Sequence, residues 1–165
     1  MQPLLDQGTW RTYTTADGLP SLQLTHLAED AEGFLWIGTW AGGACRFDGD
    51  QFETFTVADG LPSNRVHDFR RDRRNRLWLA TDAGLCWWDG RTFHQVDTGG
   101  TPVHLVLEAG DGRLYLGGRE LGYYDPRQEV FCSLMPEYRR QLNSDPRGLL
   151  PSCWGIAEDA AGHIW

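Results

Sequence analysis

The sequence predicts an all-β repeat protein, on three observations. An aromatic residue recurs within a similar phrase at Trp36, Trp78, Tyr115 and Trp165, at spacings of 42, 37 and 50 residues. Glycine occurs 20 times, and aromatic residues make up 12% of the 165 residues. A period of roughly 20–50 residues is typical of stacked supersecondary units. Frequent glycine favours tight turns and frequent aromatics favour strands, so we expect short strands and no long helices.

A turn residue stands three positions before each repeated aromatic. Glycine and asparagine are the residues that best tolerate a positive φ angle, which a tight hairpin requires. Each aromatic is therefore expected to follow a hairpin between the first two strands of a unit. The structural residues predicted from the repeat are Gly33, Trp36, Asn75, Trp78, Gly112, Tyr115, Gly162 and Trp165.

Each unit divides into four short antiparallel strands, and units of this kind are typical of β-propeller blades. The sequence thus predicts a partial β-propeller of about three and a half blades, expected to be a fragment of a seven-bladed or larger propeller. The Trp of each blade is expected to pack between blades. The predicted divisions are an orphan outer strand at 10–14, blades at 22–57, 64–97 and 103–133, an inserted loop at 134–152 and a truncated blade at 153–165.

Charge and cysteine content exclude several classes of partner. The net charge of −8 gives no electrostatic attraction to nucleic acid. Nothing in the segment predicts direct membrane contact, because it contains no apolar run long enough to span a bilayer. Cys45 and Cys86 occupy equivalent positions in successive units, too far apart for a disulfide, so we expect both to be buried apolar fillers. No cofactor is predicted.

The first two units resemble a known family. Each contains Asp-Gly-Leu-Pro-Ser, then a strand, then a Leu-Trp phrase ending in Thr39 or Thr81, then an aromatic followed by Asp-Gly. This combination is similar to the two-component regulator propeller repeat. The resemblance covers roughly residues 10–165, although the third unit keeps only part of the pattern.

The resemblance implies a sensor role. Such propellers are the periplasmic ligand-binding regions of bacterial signalling receptors, including hybrid two-component systems and diguanylate cyclases, and some recognise oligosaccharides. The function expected from it is therefore a ligand-sensing segment that binds a small molecule or carbohydrate on its loop face. The remaining blades, or a second copy of the chain, are further expected partners. The sequence given shows no signal peptide, so the periplasmic location rests on the resemblance alone.

Residues that differ between the repeats are the candidate ligand contacts. Loops that follow the second strand and loops that lead into the first strand share one face of a propeller. An exposed tryptophan there suits stacking on a sugar ring, and an arginine suits bidentate binding of a carboxylate or sulfate. A purely structural role in loop packing or in a salt bridge between blades is the competing interpretation. The candidates are Trp40, Asn64, Arg65, Asp82 and Arg119.

Two other functions remain open at this stage. A streptogramin-lyase-like propeller enzyme would need a histidine and a metal ion at the channel mouth. The five histidines show no spacing that converges on one point, so the sequence predicts no metal site and no catalytic residue. The repeated Asp-Gly-Leu-Pro-Ser loop also argues against the lyase. A protein-interaction scaffold is the third alternative.

Overall fold

Three four-stranded antiparallel sheets form the described part of the chain, and their strands follow one another in sequence. The computed structural model describes residues 10–135, 153 and 155–165. The first sheet contains β1 (Leu24–Glu29), β2 (Leu35–Thr39), β3 (Ala44–Phe47) and β4 (Phe52–Phe55). The second contains β5 (Val66–Arg71), β6 (Leu77–Thr81), β7 (Gly84–Trp88) and β8 (Phe93–Val96). The third contains β9 (Val103–Glu108), β10 (Leu114–Gly118), β11 (Gly122–Asp125) and β12 (Val130–Ser133).

The hydrophobic core lies between neighbouring sheets, which we call blades one, two and three. The first strands lie side by side, since β1 contacts β5 and β5 contacts β9. Trp36 is completely buried, and its ring lies 6.2 Å from that of Phe69 and 5.6 Å from that of Trp88, both in blade two. Trp78 reaches Tyr124 of blade three at 5.7 Å. Both tryptophans therefore pack between blades, as the repeat predicts.

A buried aspartate ties each of these tryptophans to the hairpin turn that precedes it. The Oδ2 atom of Asp30 accepts a hydrogen bond from Trp36 Nε1 at 2.8 Å, and Asp72 accepts one from Trp78 at 2.9 Å. In both cases Oδ1 accepts two backbone N–H groups of the turn. Blade three has Ala109 at the equivalent position, so there the turn and the aromatic are not joined in this way.

The Asp72 carboxylate is held in its charged form. Burial raises its pKa, but hydrogen bonds from Trp78 and Arg76 outweigh burial and hold the pKa below the ordinary value of 3.8. A lowered pKa in the folded protein stabilises the fold at every pH above the unfolded value. That stabilisation is lost only as the pH falls through the lowered pKa.

The predicted turn residues have the expected backbone conformation. Gly33, Gly112 and Gly162 have φ angles of 88°, 86° and 85°, and the asparagine in register with them, Asn75, has φ = 63°. The repeated Asp-Gly-Leu-Pro-Ser loops begin in short 3₁₀ turns at Thr15–Asp17 and Val57–Asp59. Each of these turns is closed by a reciprocal capping box between a threonine and an aspartate.

Cys45 and Cys86 are buried and not in a disulfide, as expected of apolar fillers. No helix among the described residues is both long and apolar enough to cross a bilayer.

Two sequence expectations need correction or fall outside the described part of the chain. Residues 10–14 are not a strand, because no neighbouring strand within the described ranges hydrogen-bonds to them. Tyr13 instead packs its ring against Phe47 and Phe52 of blade one. The inserted loop predicted at 134–152 lies, except for its first two residues, outside the described residues. Among the described residues of the final unit, one isolated bridge joins Glu158 and Ile164.

Trp36 and Trp165 offer a matched test of packing between blades, because they occupy the same repeat position in different surroundings. Trp36 is 0% exposed, whereas Trp165 is 77% exposed. We expect Trp36→Ala to lower the free energy of unfolding by about 3–5 kcal/mol, since it removes a buried aromatic side chain. Trp165→Ala should change it by less than about 0.5 kcal/mol. Urea denaturation followed by circular dichroism measures both, and equal losses would contradict this packing.

Candidate functional site

Loops from neighbouring blades meet at the end of the sheets opposite the Asp–Trp hairpins. Trp40 directly follows β2, and its backbone N–H donates to the carbonyl of Gln23 at 3.0 Å. Arg65 directly precedes β5, and its carbonyl accepts the backbone N–H of Asp82 at 3.2 Å. Gly43 joins the two blades, since its N–H donates to the Asn64 carbonyl at 2.8 Å. We call this end of the blades the loop face.

Trp40, Arg65 and Asp82 form one contact chain on the loop face. The guanidinium carbon of Arg65 lies 4.2 Å from the ring centre of Trp40, and Arg65 Nε donates to the Trp40 carbonyl at 3.2 Å. Arg65 Nη1 lies 2.9 Å from Asp82 Oδ2. Trp40 nevertheless keeps 46% of its surface exposed. Three of the five predicted ligand residues are thus brought together, and the guanidinium is shared between an indole face and a carboxylate.

Two histidines extend this chain toward blade three. His67 Nε2 lies 2.6 Å from Asp82 Oδ1, and the rings of His67 and His104 are 4.5 Å apart. The Trp40 ring stands edge-on to that of His67, with 6.0 Å between their centres. One nitrogen of each histidine and one oxygen of Asp82 all lie within 4.8 Å of one another. Imidazole and carboxylate groups gathered in this way are donors suited to a metal ion.

The environment of His104 favours its neutral form. Burial lowers the pKa of His104, the nearby His67 lowers it further, and Asp82 acts in the opposite direction. A neutral imidazole can present an unprotonated nitrogen at physiological pH.

The other two predicted ligand residues stand apart from this chain of contacts. Asn64 hydrogen-bonds to backbone groups. Its side-chain oxygen accepts a hydrogen bond from the N–H of Val57 at 2.8 Å, and its main-chain carbonyl accepts one from the N–H of Gly43. It therefore closes the loop between two blades. Arg119 is exposed in the turn between β10 and β11.

The sequence prediction of no metal site missed the approach of His67, Asp82 and His104. A signal was present, because Val66-His67 and Val103-His104 start the first strands of successive blades. The two histidines are separated by the same 37 residues that separate Trp78 from Tyr115. Equivalent positions on adjacent first strands lie side by side, so aligning the histidines on the repeat places them together.

A cleft at the opposite end of the blades is a competing location for a ligand. It has a volume of about 290 Å³, and its lining includes Asp30, Arg74, Arg76 and Trp87. Arg76 is already paired with Asp72 at 2.8 Å, and Asp30 is engaged by the Trp36 indole. These groups serve the hairpins that hold the blades together, so the loop face carries the candidate site.

Comparison with protein families finds a match in the two regions where the repeat is most regular. The model of the two-component regulator propeller matches residues 18–41 and 60–83. These ranges contain Trp36 with Trp40, and Trp78 with Asp82. No curated protein sequence matches the chain.

Solved structures with a similar fold include virginiamycin B lyase from Staphylococcus aureus, with a TM-score of 0.60 and 14% sequence identity over 79% of this chain and 46% of the lyase. A catalytically inactive variant of that lyase, solved with quinupristin, has a TM-score of 0.60 and 13% identity over 78% of this chain and 46% of the variant. An extracellular domain from B. thetaiotaomicron, described as part of a hybrid two-component system, has a TM-score of 0.45 and 16% identity over 87% of this chain and 28% of the domain.

The chain spans less than half the length of the lyase, and identity this low shows the fold alone. The predicted fold, an all-β partial propeller, is confirmed. Two stretches of the chain match the propeller family, and both contain the tryptophan that packs between blades. Residues 18–41 and 60–83 are repeats of the two-component regulator propeller kind, as the resemblance predicts.

Proposed function

We propose that the chain is a ligand-sensing propeller segment of a bacterial signal-transduction receptor, located in the periplasm, and that it binds a small molecule or oligosaccharide on the loop face. The observation that carries the proposal is the half-exposed Trp40 stacked with Arg65. An indole and a guanidinium held together offer a flat surface and hydrogen-bond donors at one point. Sugars present apolar ring faces and oxygen acceptors that match this pair.

The site is formed before any ligand arrives, which favours binding. Arg65 is fixed by the Trp40 carbonyl and by Asp82, so little side-chain entropy remains to be lost. The guanidinium has five N–H donors. The contacts to Trp40 and Asp82 leave N–H groups free to donate hydrogen bonds to a carboxylate or sulfate of an acidic sugar.

A position on the loop face also suits a sensor. The Trp40–Arg65 contact crosses from blade one to blade two, and Asp82 leads on to the histidines of blades two and three. A ligand held there touches several blades at once, so its binding energy depends on how the blades are placed relative to one another. This dependence is the property that a receptor needs to convert binding into a signal.

A glycan array containing neutral, carboxylated and sulfated oligosaccharides tests the proposal, followed by calorimetric titration of the strongest binder. We expect Trp40→Ala to weaken binding by about 10-fold, since it removes stacking worth about 0.5–1.5 kcal/mol and the support of Arg65. Trp10→Ala is the matched control, because Trp10 is likewise an exposed tryptophan but precedes the blades. Equal affinity of the Trp40→Ala variant and the wild type, or no binder on the array, would rule out this site.

The segment is further proposed to bind its ligand without converting it. The alternative is a propeller lyase, and His67 and His104 on the loop face are the observation in its favour. Incubation of the chain with quinupristin and Mg²⁺, followed by mass spectrometry, distinguishes the two. We expect the cyclic depsipeptide to remain intact. A ring-opened product that disappears in the His67→Ala variant would replace the sensor by the lyase.

A further inference from the structure

The meeting of His67 and His104 has a specific backbone cause. In blade two, Val66 pairs with Thr81 and Asp68 pairs with Ala80, so His67 is an extra residue in β5. In blade three, Val103 pairs with Gly118 and Leu105 pairs with Gly117, so His104 is the extra residue in β9. A β-bulge turns its extra side chain away from the regular alternation of the strand.

Two bulges in the same register therefore direct two imidazoles to the same place. Because β5 and β9 lie side by side, the rings meet across the gap between blades two and three at 4.5 Å. Blade one also shifts register between Leu24 and Leu27, and that interval contains Thr25. The Thr25 hydroxyl donates to the Val66 carbonyl at 2.6 Å and so joins the blades directly. The register shift in the first strand thus contributes to packing between blades in blade one, whereas in blades two and three it places a histidine side chain on the loop face.

The carboxylate of Asp82 completes the group from a third element, the loop after β6. Its two oxygens have separate partners, since Oδ2 faces Arg65 at 2.9 Å and Oδ1 faces His67 at 2.6 Å. The guanidinium therefore holds the carboxylate with Oδ1 turned toward the histidines. Metal-binding carboxylates in proteins are typically oriented by such an outer hydrogen bond.

We propose that His67, Asp82 and His104 bind a divalent transition-metal ion, such as Zn²⁺, on the loop face. Two imidazoles and one carboxylate form a ligand set that suits these metals. Donor atoms around a tetrahedral zinc ion lie about 3–3.5 Å apart, as bond lengths of about 2.0–2.2 Å require. The three donors lie within 4.8 Å of one another. His67 Nε2 and Asp82 Oδ1 are closer than the spacing around zinc, at 2.6 Å, so binding an ion requires these two atoms to separate slightly.

Three protein ligands leave a coordination position open to the solvent. Asp82 is 34% exposed and lies beside the Trp40–Arg65 pair, so a bound ligand can reach that position. The metal site nevertheless has its own ligands, because Trp40 is not one of them and the metal titration needs no oligosaccharide.

The titration uses the untagged full chain, stripped of metal with a chelator, and measures Zn²⁺ binding by calorimetry. We expect one ion per chain, and at least about 10-fold weaker binding for His104→Gln and for Asp82→Asn. His94→Gln is the matched control, since His94 and Asp89 form an exposed pair at 2.7 Å outside the loop face. Binding that is saturable in the wild type, lost with His104→Gln and kept with His94→Gln supports the site. No saturable binding, or equal binding by these variants, overturns it.

Cobalt provides a readout that does not depend on whether the variants fold. Co²⁺ bound by imidazole and carboxylate gives visible d–d absorption without a thiolate charge-transfer band. The partly buried Cys132 and Cys153 would give such a band if they held the ion instead. A wild-type spectrum with d–d bands alone supports the proposed ligands. A spectrum with the thiolate band, or with no d–d bands at saturating cobalt, contradicts them.

Discussion

The hydrogen bond between a buried aspartate and the tryptophan of its blade is the interaction on which the rest of the structure depends. The Asp72 carboxylate accepts a hydrogen bond from Trp78 Nε1 at 2.9 Å. It also accepts hydrogen bonds from two backbone N–H groups of the turn before Trp78. One carboxylate therefore fixes both the hairpin and the orientation of the large side chain that packs against the next blade. A buried carboxylate without these donors would be strongly destabilising, so the turn, the indole and the acid act as a unit.

The loop face follows from this arrangement. Tryptophans that pack between blades bring β1, β5 and β9 side by side, and equivalent residues of successive blades then meet. Arg65 reaches Trp40 of the preceding blade, and His67 meets His104 of the next one. The polar and aromatic side chains of the loop face come from loops and bulges, whereas the regular parts of the strands provide the packing between blades.

Features set by local conformation are predictable from the sequence, whereas the meeting of side chains from different blades is less so. The positive φ of Asn75 follows from its register with glycines, because the turn itself imposes that angle. The contact of Arg65 with a neighbouring acid follows from the loop positions. The hydrogen bonds of Asn64 to backbone groups are not predictable in this way, because residue type does not reveal them. His104 is missed because its position depends on a bulge and on the docking of two blades.

A double-mutant cycle on Asp72 and Trp78 tests the central claim most directly. Asp72→Ala removes the acceptor, Trp78→Phe removes the indole donor while keeping an aromatic ring, and urea denaturation at neutral pH gives the free energy of unfolding of each variant and of the pair. A coupling energy of about 1–3 kcal/mol is predicted, because each residue loses its partner when the other is replaced. Additive effects, within about 0.5 kcal/mol, would contradict the claim that acid and indole act as a unit.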